Sequence, residues 1–420
     1  MVDDFLCSCG GIYEVEQEYP VVRKEIFEDR LRIAKTPYNS GVWRYKELVY
    51  PELESGYIVT RPEGNTNLYR RRKISQFVGV KSLQMKHEGE NPTGSFKDRG
   101  MTVAVSVALK TGAKVVACAS TGNTSASMAA YAAQSGLRAI VFIPEGEIAY
   151  GKLAQALAYG AKVIQIKGNF DDAMKIVKEG SKELGFYALN SINPWRIEGQ
   201  KSIIFELLQQ RNWEPPDWIV QPAGNLGNTS AFGKALMELK EAGLIESVPR
   251  LASIQAEGAN PFYNLWKNHE EELKPITPHT IASAIKIGNP VSWEKALKAI
   301  KDCKGVVEEV DDSEIMNAKA MVDRSGVGCE PASAASVAGA KKLRANRIID
   351  SDETVVCVLT GNLMKDPQNT VEYHLGKLSG IEASYRNELI TIEPDIGAIE
   401  SLLNDASSYN QQRVIPVHGD

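Results

Sequence analysis

The sequence predicts an α/β fold built on mostly parallel sheets. Short β-rich runs alternate with longer helical patterns through most of the 420 residues. Runs such as VVACA at 115–119 are apolar throughout, which marks strands covered on both faces. The phrases TGAKVV at 111–116 and YGAKVI at 159–164 each close a helix at glycine and enter a strand, so one kind of αβ connection is used twice.

In chain order, strands are expected at 82–86, 114–119, 139–143, 162–166, 218–221, 253–256 and 354–359. Helices are expected after most of them, for example at 99–110, 125–134, 171–184 and 231–240. Such alternation lays helices against the faces of parallel sheets. On this reading the chain divides into an N-terminal segment at 1–60, a large domain made of 61–100 and 206–375, a small α/β domain at 101–205, and a C-terminal segment and tail at 376–420. No low-complexity linker marks these boundaries. The polar, aperiodic tail after residue 404 is expected to be poorly ordered.

With 43% hydrophobic and 24% charged residues, the chain can bury an ordinary core without metal or disulfide staples. A net charge of −5 and the lack of a long basic run argue against nucleic acid as a partner. No stretch approaches ~18 uninterrupted apolar residues, so no membrane span is expected. The start MVDDFLCSCGG lacks the basic and apolar regions of a secretory signal. Six scattered cysteines argue against a disulfide framework and for a cytoplasmic protein. The five histidines show no metal-ligand spacing, which turns attention away from histidine-centred hydrolysis.

Four segments carry chemistry. In NPTGSFKDRG (91–100), two turn pairs stand directly before a helix. Lys97, held at that junction, is a candidate for covalent chemistry with a carbonyl; the competing account is a solvated charge. STGNTSAS (120–127) follows VVACA, and hydroxyls with amides at a helix start make either an anion site or an ordinary N-cap. PAGNLGNTS (222–230) follows another apolar strand. Its glycines let the main chain approach a phosphate, although it is neither a Walker loop nor GxGxxG. LTGNLMKD (359–366) ends a further strand, where Thr360 either offers a hydroxyl to a ring nitrogen or belongs to a simple terminating turn.

Together these segments sit where ligands bind in open α/β sheets. They resemble the threonine synthase family, of the tryptophan-synthase-β-like, fold-type II pyridoxal-phosphate enzymes, over residues 55–400. The resemblance implies two open, twisted, mostly parallel-sheet domains with the cofactor, pyridoxal 5'-phosphate, in the cleft between them. GSFKDRG resembles the Schiff-base motif, which implies Lys97 as the catalytic, cofactor-carrying residue. STGNTSAS implies Asn123 beside the cofactor's 3-hydroxyl. PAGNLGN implies that Gly224, Asn225, Leu226, Gly227 and Asn228 hold its phosphate, and Thr360 matches the residue facing the pyridine nitrogen.

NSINPWRIEGQK (190–201) resembles the family's NS.NP.R..GQK signature. It implies that Thr124, Asn190, Ser191, Arg196 and Asn225 hold the phosphate of O-phospho-L-homoserine. A planar guanidinium among neutral donors suits a phosphate dianion; the competing account of Arg196 is a structural salt bridge. The implied reaction converts O-phospho-L-homoserine and water to L-threonine and phosphate, and a homodimer is the expected assembly at this size. Serine and threonine dehydratases and β-replacement enzymes share the fold, but their phosphate loops are typically richer in glycine and carry Ser or Cys at the place of Thr360. A phosphoserine-using paralogue would keep nearly all these motifs. Asn67 departs from a usual proline, and GNLM at 361–364 from a GHG(L)KD form. Cys7 and Cys9 resemble a zinc-ribbon start, but one CxC without a second pair nearby cannot supply four ligands, so no metal is expected.

Overall fold

Ten strands carry the fold in the computed structural model, which describes Phe5, Cys7 and residues 11–145 and 150–404; Cys9 and the tail beyond 404 lie outside the described residues. The strands are β1 (Leu68–Arg70), β2 (Ser82–His87), β3 (Val115–Ala119), β4 (Arg138–Pro144), β5 (Lys162–Ile166), β6 (Tyr187–Ala188), β7 (Trp218–Pro222), β8 (Arg250–Ala256), β9 (Val306–Val310) and β10 (Thr354–Leu359). They form a six-stranded sheet of order β1-β2-β10-β7-β8-β9 and a four-stranded sheet of order β5-β4-β3-β6. Only β1 runs antiparallel to its neighbour. The fold is therefore α/β with two mostly parallel sheets. Every residue of β7 is buried, as a parallel strand covered by helices on both faces requires.

Each strand read from the sequence is present. The three added by the structure, β1, β6 and β9, all lie at sheet edges. β1 and β6 have three and two residues, too few for a periodic signal, and Glu308 and Glu309 interrupt the apolar run of β9. Among the described residues, no helix is long and apolar enough to cross a membrane.

Two helices set the relation between Lys97 and Arg196. Lys97–Lys110 and Trp195–Gln210 pack against each other through glycines. A Cβ on Gly199 would stand 1.9 Å from the Arg99 carbonyl oxygen, and one on Gly100 would stand 3.0 Å from the Arg196 carbonyl oxygen. The backbones touch, so the first turns of the two helices, bearing Lys97 and Arg196, are held in fixed relation. Glu206, in the second helix, accepts from Lys86 at 2.6 Å and from Arg99 at 2.7 Å, and Glu88 accepts from Arg99 at 2.6 Å. All four side chains are buried; the opposite charges and hydrogen bonds offset the cost of removing them from water.

Candidate active site

Lys97 begins its helix directly after a turn through Gly94, whose φ of +84° is left-handed and suits glycine. Main-chain bonds fasten that turn to the end of β10. Phe96 N–H donates to Thr360 O at 3.0 Å, and Asn362 N–H donates to Gly94 O at 2.9 Å. Lys97 is half-buried, with Nζ 4.2 Å from the centre of the Phe96 ring. Burial and the nearby Arg196 cation, partly opposed by Glu330, bring the amine down to about 7. An amine held there is neutral in a large fraction near neutral pH, as a nucleophile or proton carrier must be.

Asn123 opens the Asn123–Ser135 helix behind β3. Its Nδ2 donates to both Glu330 carboxylate oxygens, at 3.3 and 3.2 Å. Thr360 is buried just past β10, its hydroxyl 3.0 Å from that of Ser333. Glu330 and Ser333 stand three residues apart at the start of the Pro331–Ala345 helix, so one helix end meets both Asn123 and Thr360. The sequence reading missed both. The Glu-Pro pair announced a helix start, but nothing local indicated what the start would touch.

Residues 224–228 form a cradle at the end of β7. Leu226 adopts φ +63°, and the Gly227–Glu241 helix follows. The first main-chain bond across this helix start is Ser230 N–H to Leu226 O at 3.0 Å, which leaves the preceding amides without partners inside the helix. A Cβ on Gly224 would lie 3.1 Å from Ile285 Cα, and one on Gly227 would lie 3.3 Å from Gln200 Oε1. Asn228 is buried with Oδ1 unpaired, as is Gln200 Oε1. Amides without helical partners at the start of a 15-residue helix, beside close-packed glycines, are the kind of place where an anion can bind.

On the smaller sheet's side, Arg196 lies in the first turn of its helix and is 2% exposed. It donates to Leu189 O at 3.2 Å, while Nε has no partner. Among the described residues no carboxylate pairs with it, which removes the salt-bridge account of this residue. Burial pulls the guanidinium below its ordinary range, to about 10. Asn190 is committed to main chain: Oδ1 accepts from Ala119 N–H at 3.1 Å and Nδ2 donates to Ala119 O at 2.9 Å, which pins the end of β3. Thr124, Ser191 and Asn225 are part-exposed and free of such ties. The structure thus links Lys97 with Thr360, Asn123 with Glu330, and residue 227 with Gln200 of the Arg196 helix. It ties no side chain of Thr124, Ser191 or Asn225 to these.

A lysine of lowered basicity, a glycine-bearing helix start and a buried arginine with no counter-ion among the described residues are thus linked through one helix pair. A family model described as pyridoxal-phosphate dependent enzyme matches residues 59–361. The chain belongs to that family, with its fold-type II architecture. It is 47% identical to the threonine synthase of Methanocaldococcus jannaschii over 403 residues, covering 96% of this chain and 95% of that one. It is also 47% identical to the threonine synthase of Methanosarcina acetivorans, covering 88% and 89%. Within the pyridoxal-phosphate enzymes it therefore belongs with the threonine synthases. The crystal structure of threonine synthase from Escherichia coli superposes with a TM-score of 0.67 at 19% identity, covering 96% of both chains. Maize serine racemase gives 0.64 at 22% identity, over 80% of this chain and 97% of that one. At such identities the two structures speak for the fold alone.

Proposed function

We propose that this pyridoxal-phosphate dependent lyase converts O-phospho-L-homoserine and water into L-threonine and phosphate, with Lys97 as catalytic residue. The observation that carries the substrate assignment is Arg196, a buried guanidinium with no anionic partner among the described residues, one helix turn from the Gln200 that borders the 224–228 loop. A dehydratase acting on serine or threonine offers it no phosphate. The cradle fits the cofactor because amides without partners inside the helix and the glycine-sized gaps at Gly224 and Gly227 suit a phosphate group.

In this reading Gly224, Asn225, Leu226, Gly227 and Asn228 hold the cofactor phosphate, Asn123 meets the ring's 3-hydroxyl, and Thr360 faces the ring nitrogen. When bound, pyridoxal phosphate supplies an electron sink that acidifies protons near the substrate's amino group. With the cofactor bound, Lys97 Nζ would take protons from Cα and Cβ, return one at Cγ as the phosphate leaves, and return one at Cα after water adds at Cβ, which its depressed basicity permits. Arg196, with Thr124, Ser191, Asn225 and the main chain ordered by Asn190, holds the phosphate that leaves. A hydroxyl at Thr360, unlike a carboxylate, does not hold a proton on the ring nitrogen. The same proposal includes a large domain of 61–100 and 206–375, a small domain of 101–205, a homodimer, and a cytoplasmic location.

The test is incubation of the holoenzyme with O-phosphohomoserine, O-phosphoserine, serine and threonine, measuring phosphate, ammonia and amino acids. Equal yields of phosphate and threonine from O-phosphohomoserine are expected. Ammonia from serine or threonine as the dominant product overturns the assignment.

A further inference from the structure

Glu330 belongs to no part of the reaction described above, yet it is 3% exposed and lies between two residues assigned to the cofactor ring. It sits on the larger sheet's side, at the N-cap of the 15-residue Pro331–Ala345 helix, where the helix dipole favours a negative charge. Its own place is tightly set. Glu330 N–H donates to Gly361 O at 3.1 Å, and a Cβ on Gly361 would strike the Glu330 carboxylate at 2.3 Å. The carboxylate therefore lies flat on the backbone directly after Thr360, a position open to it only because residue 361 is glycine.

From the helix behind β3 of the smaller sheet, Asn123 Nδ2 donates to both oxygens of Glu330. A carboxylate has no hydrogen to give, so only the nitrogen end of the amide can face it, and the carbonyl end is turned away. One Nδ2 hydrogen is shared between the two carboxylate oxygens. The second leaves the same nitrogen in another direction and stays available as a donor. Without Glu330 the amide could flip or swing, and its carbonyl would face an anionic oxygen as readily as its N–H would.

We propose that Glu330 is a positioning residue, which fixes the Asn123 amide from the facing helix start so that its remaining N–H is offered to the cofactor's ring oxygen. The inference rests on the assignment of Asn123 to the cofactor ring. It is tested on apoenzyme titrated with pyridoxal phosphate, reading affinity by fluorescence and the position of the visible absorption band. Glu330→Ala is expected to weaken cofactor binding by about tenfold, the loss of one well-directed hydrogen bond to a charged group, and to shift the band. Glu330→Asp, one methylene too short to reach Asn123, is expected to give the same loss with the charge retained, and Glu330→Gln, whose carbonyl oxygen can still accept, to recover most of it. Asn123→Ala is expected to match Glu330→Ala, and the double variant to be no worse than either. Wild-type affinity and spectrum in both Glu330→Ala and Glu330→Asp overturn the proposal, as do losses that add in the double variant. If Glu330→Ala does not fold, the Asp and Gln variants decide alone. An Asn123→Ala variant with unchanged affinity and spectrum removes instead the assignment of Asn123.

Discussion

Replacing Arg196 with methionine separates a ligand-binding cation from a structural one. The guanidinium is almost wholly buried, makes one bond to Leu189 O at 3.2 Å and leaves Nε unpaired. Arginine stays charged at neutral pH, so the free enzyme bears an uncompensated buried charge. The fall to about 10 corresponds to a burial penalty on the order of 3 kcal/mol. Methionine keeps most of the aliphatic packing and carries no charge. The apoenzyme variant is therefore expected to melt no lower than wild type. Breaking a buried ion pair would do the opposite, at a cost of about 3–5 kcal/mol. A charge-assisted hydrogen bond to the substrate phosphate contributes about 1.5–3 kcal/mol, so kcat/KM for phosphate release should fall by roughly 10–150-fold. Because the bound group is also the leaving group, kcat falls as well as apparent affinity. Arg196→Lys should recover only part, since an ammonium lacks the planar fork. Steady-state phosphate release and apoenzyme melting curves decide it. Wild-type kcat/KM in Arg196→Met, or a lowered apoenzyme Tm with kinetics intact, refutes the reasoning.

Lys97→Ala is expected to abolish the visible absorbance of the holoenzyme, and borohydride treatment of wild type to leave a pyridoxyl group on Lys97; an adduct on another lysine contradicts the site. In apoenzyme the folded chain sheds the Lys97 proton at about 7, while the unfolded chain keeps it to the ordinary 10.5. Stability gained from this group therefore rises with pH across that window, by at most about 1.4 kcal/mol per pH unit, and Lys97→Met should flatten the rise in pH-dependent denaturation curves. Gly227→Val should weaken cofactor binding by roughly tenfold or more while leaving the apoenzyme Tm nearly unchanged, because its methyls enter the cradle where a Cβ already meets Gln200 Oε1 at 3.3 Å. Glu206→Gln should destabilise the fold by about 3–5 kcal/mol in urea titration, since it leaves Lys86 and Arg99 buried without their shared counter-charge.

The parts of the site legible in the sequence are those whose chemistry is local. Lys97 stands out because two turn pairs precede a helix, and residues 224–228 because glycines follow an apolar strand. Arg196 needed the family resemblance: on its own, one arginine in a helix reads as surface charge. The four-residue ionic core could not be read at all. Glu206 and Lys86 are 120 residues apart, and each looks like a solvated side chain until the fold removes water from both. Glu330 was hidden for the same reason, since its partner Asn123 is 207 residues away. Among strands, those read from the sequence have five or more residues and most carry apolar runs, whereas the missed ones are short or charged edge strands.

The order of strands in the larger sheet bears on how the polypeptide is made. β10, the last strand among the described residues, is paired on one side with β2 and on the other with β7. Until residues 354–359 leave the ribosome, β2 and β7 face a gap, each with an unpaired row of backbone groups. Thr360 and the main-chain bonds that fasten the Lys97 turn arrive with that same strand. A nascent or truncated chain that stops short of it holds the lysine and the phosphate cradle but not the wall between them. Closure of the larger sheet, and with it the placing of Thr360 beside the Lys97 turn, thereby waits for residues 354–360.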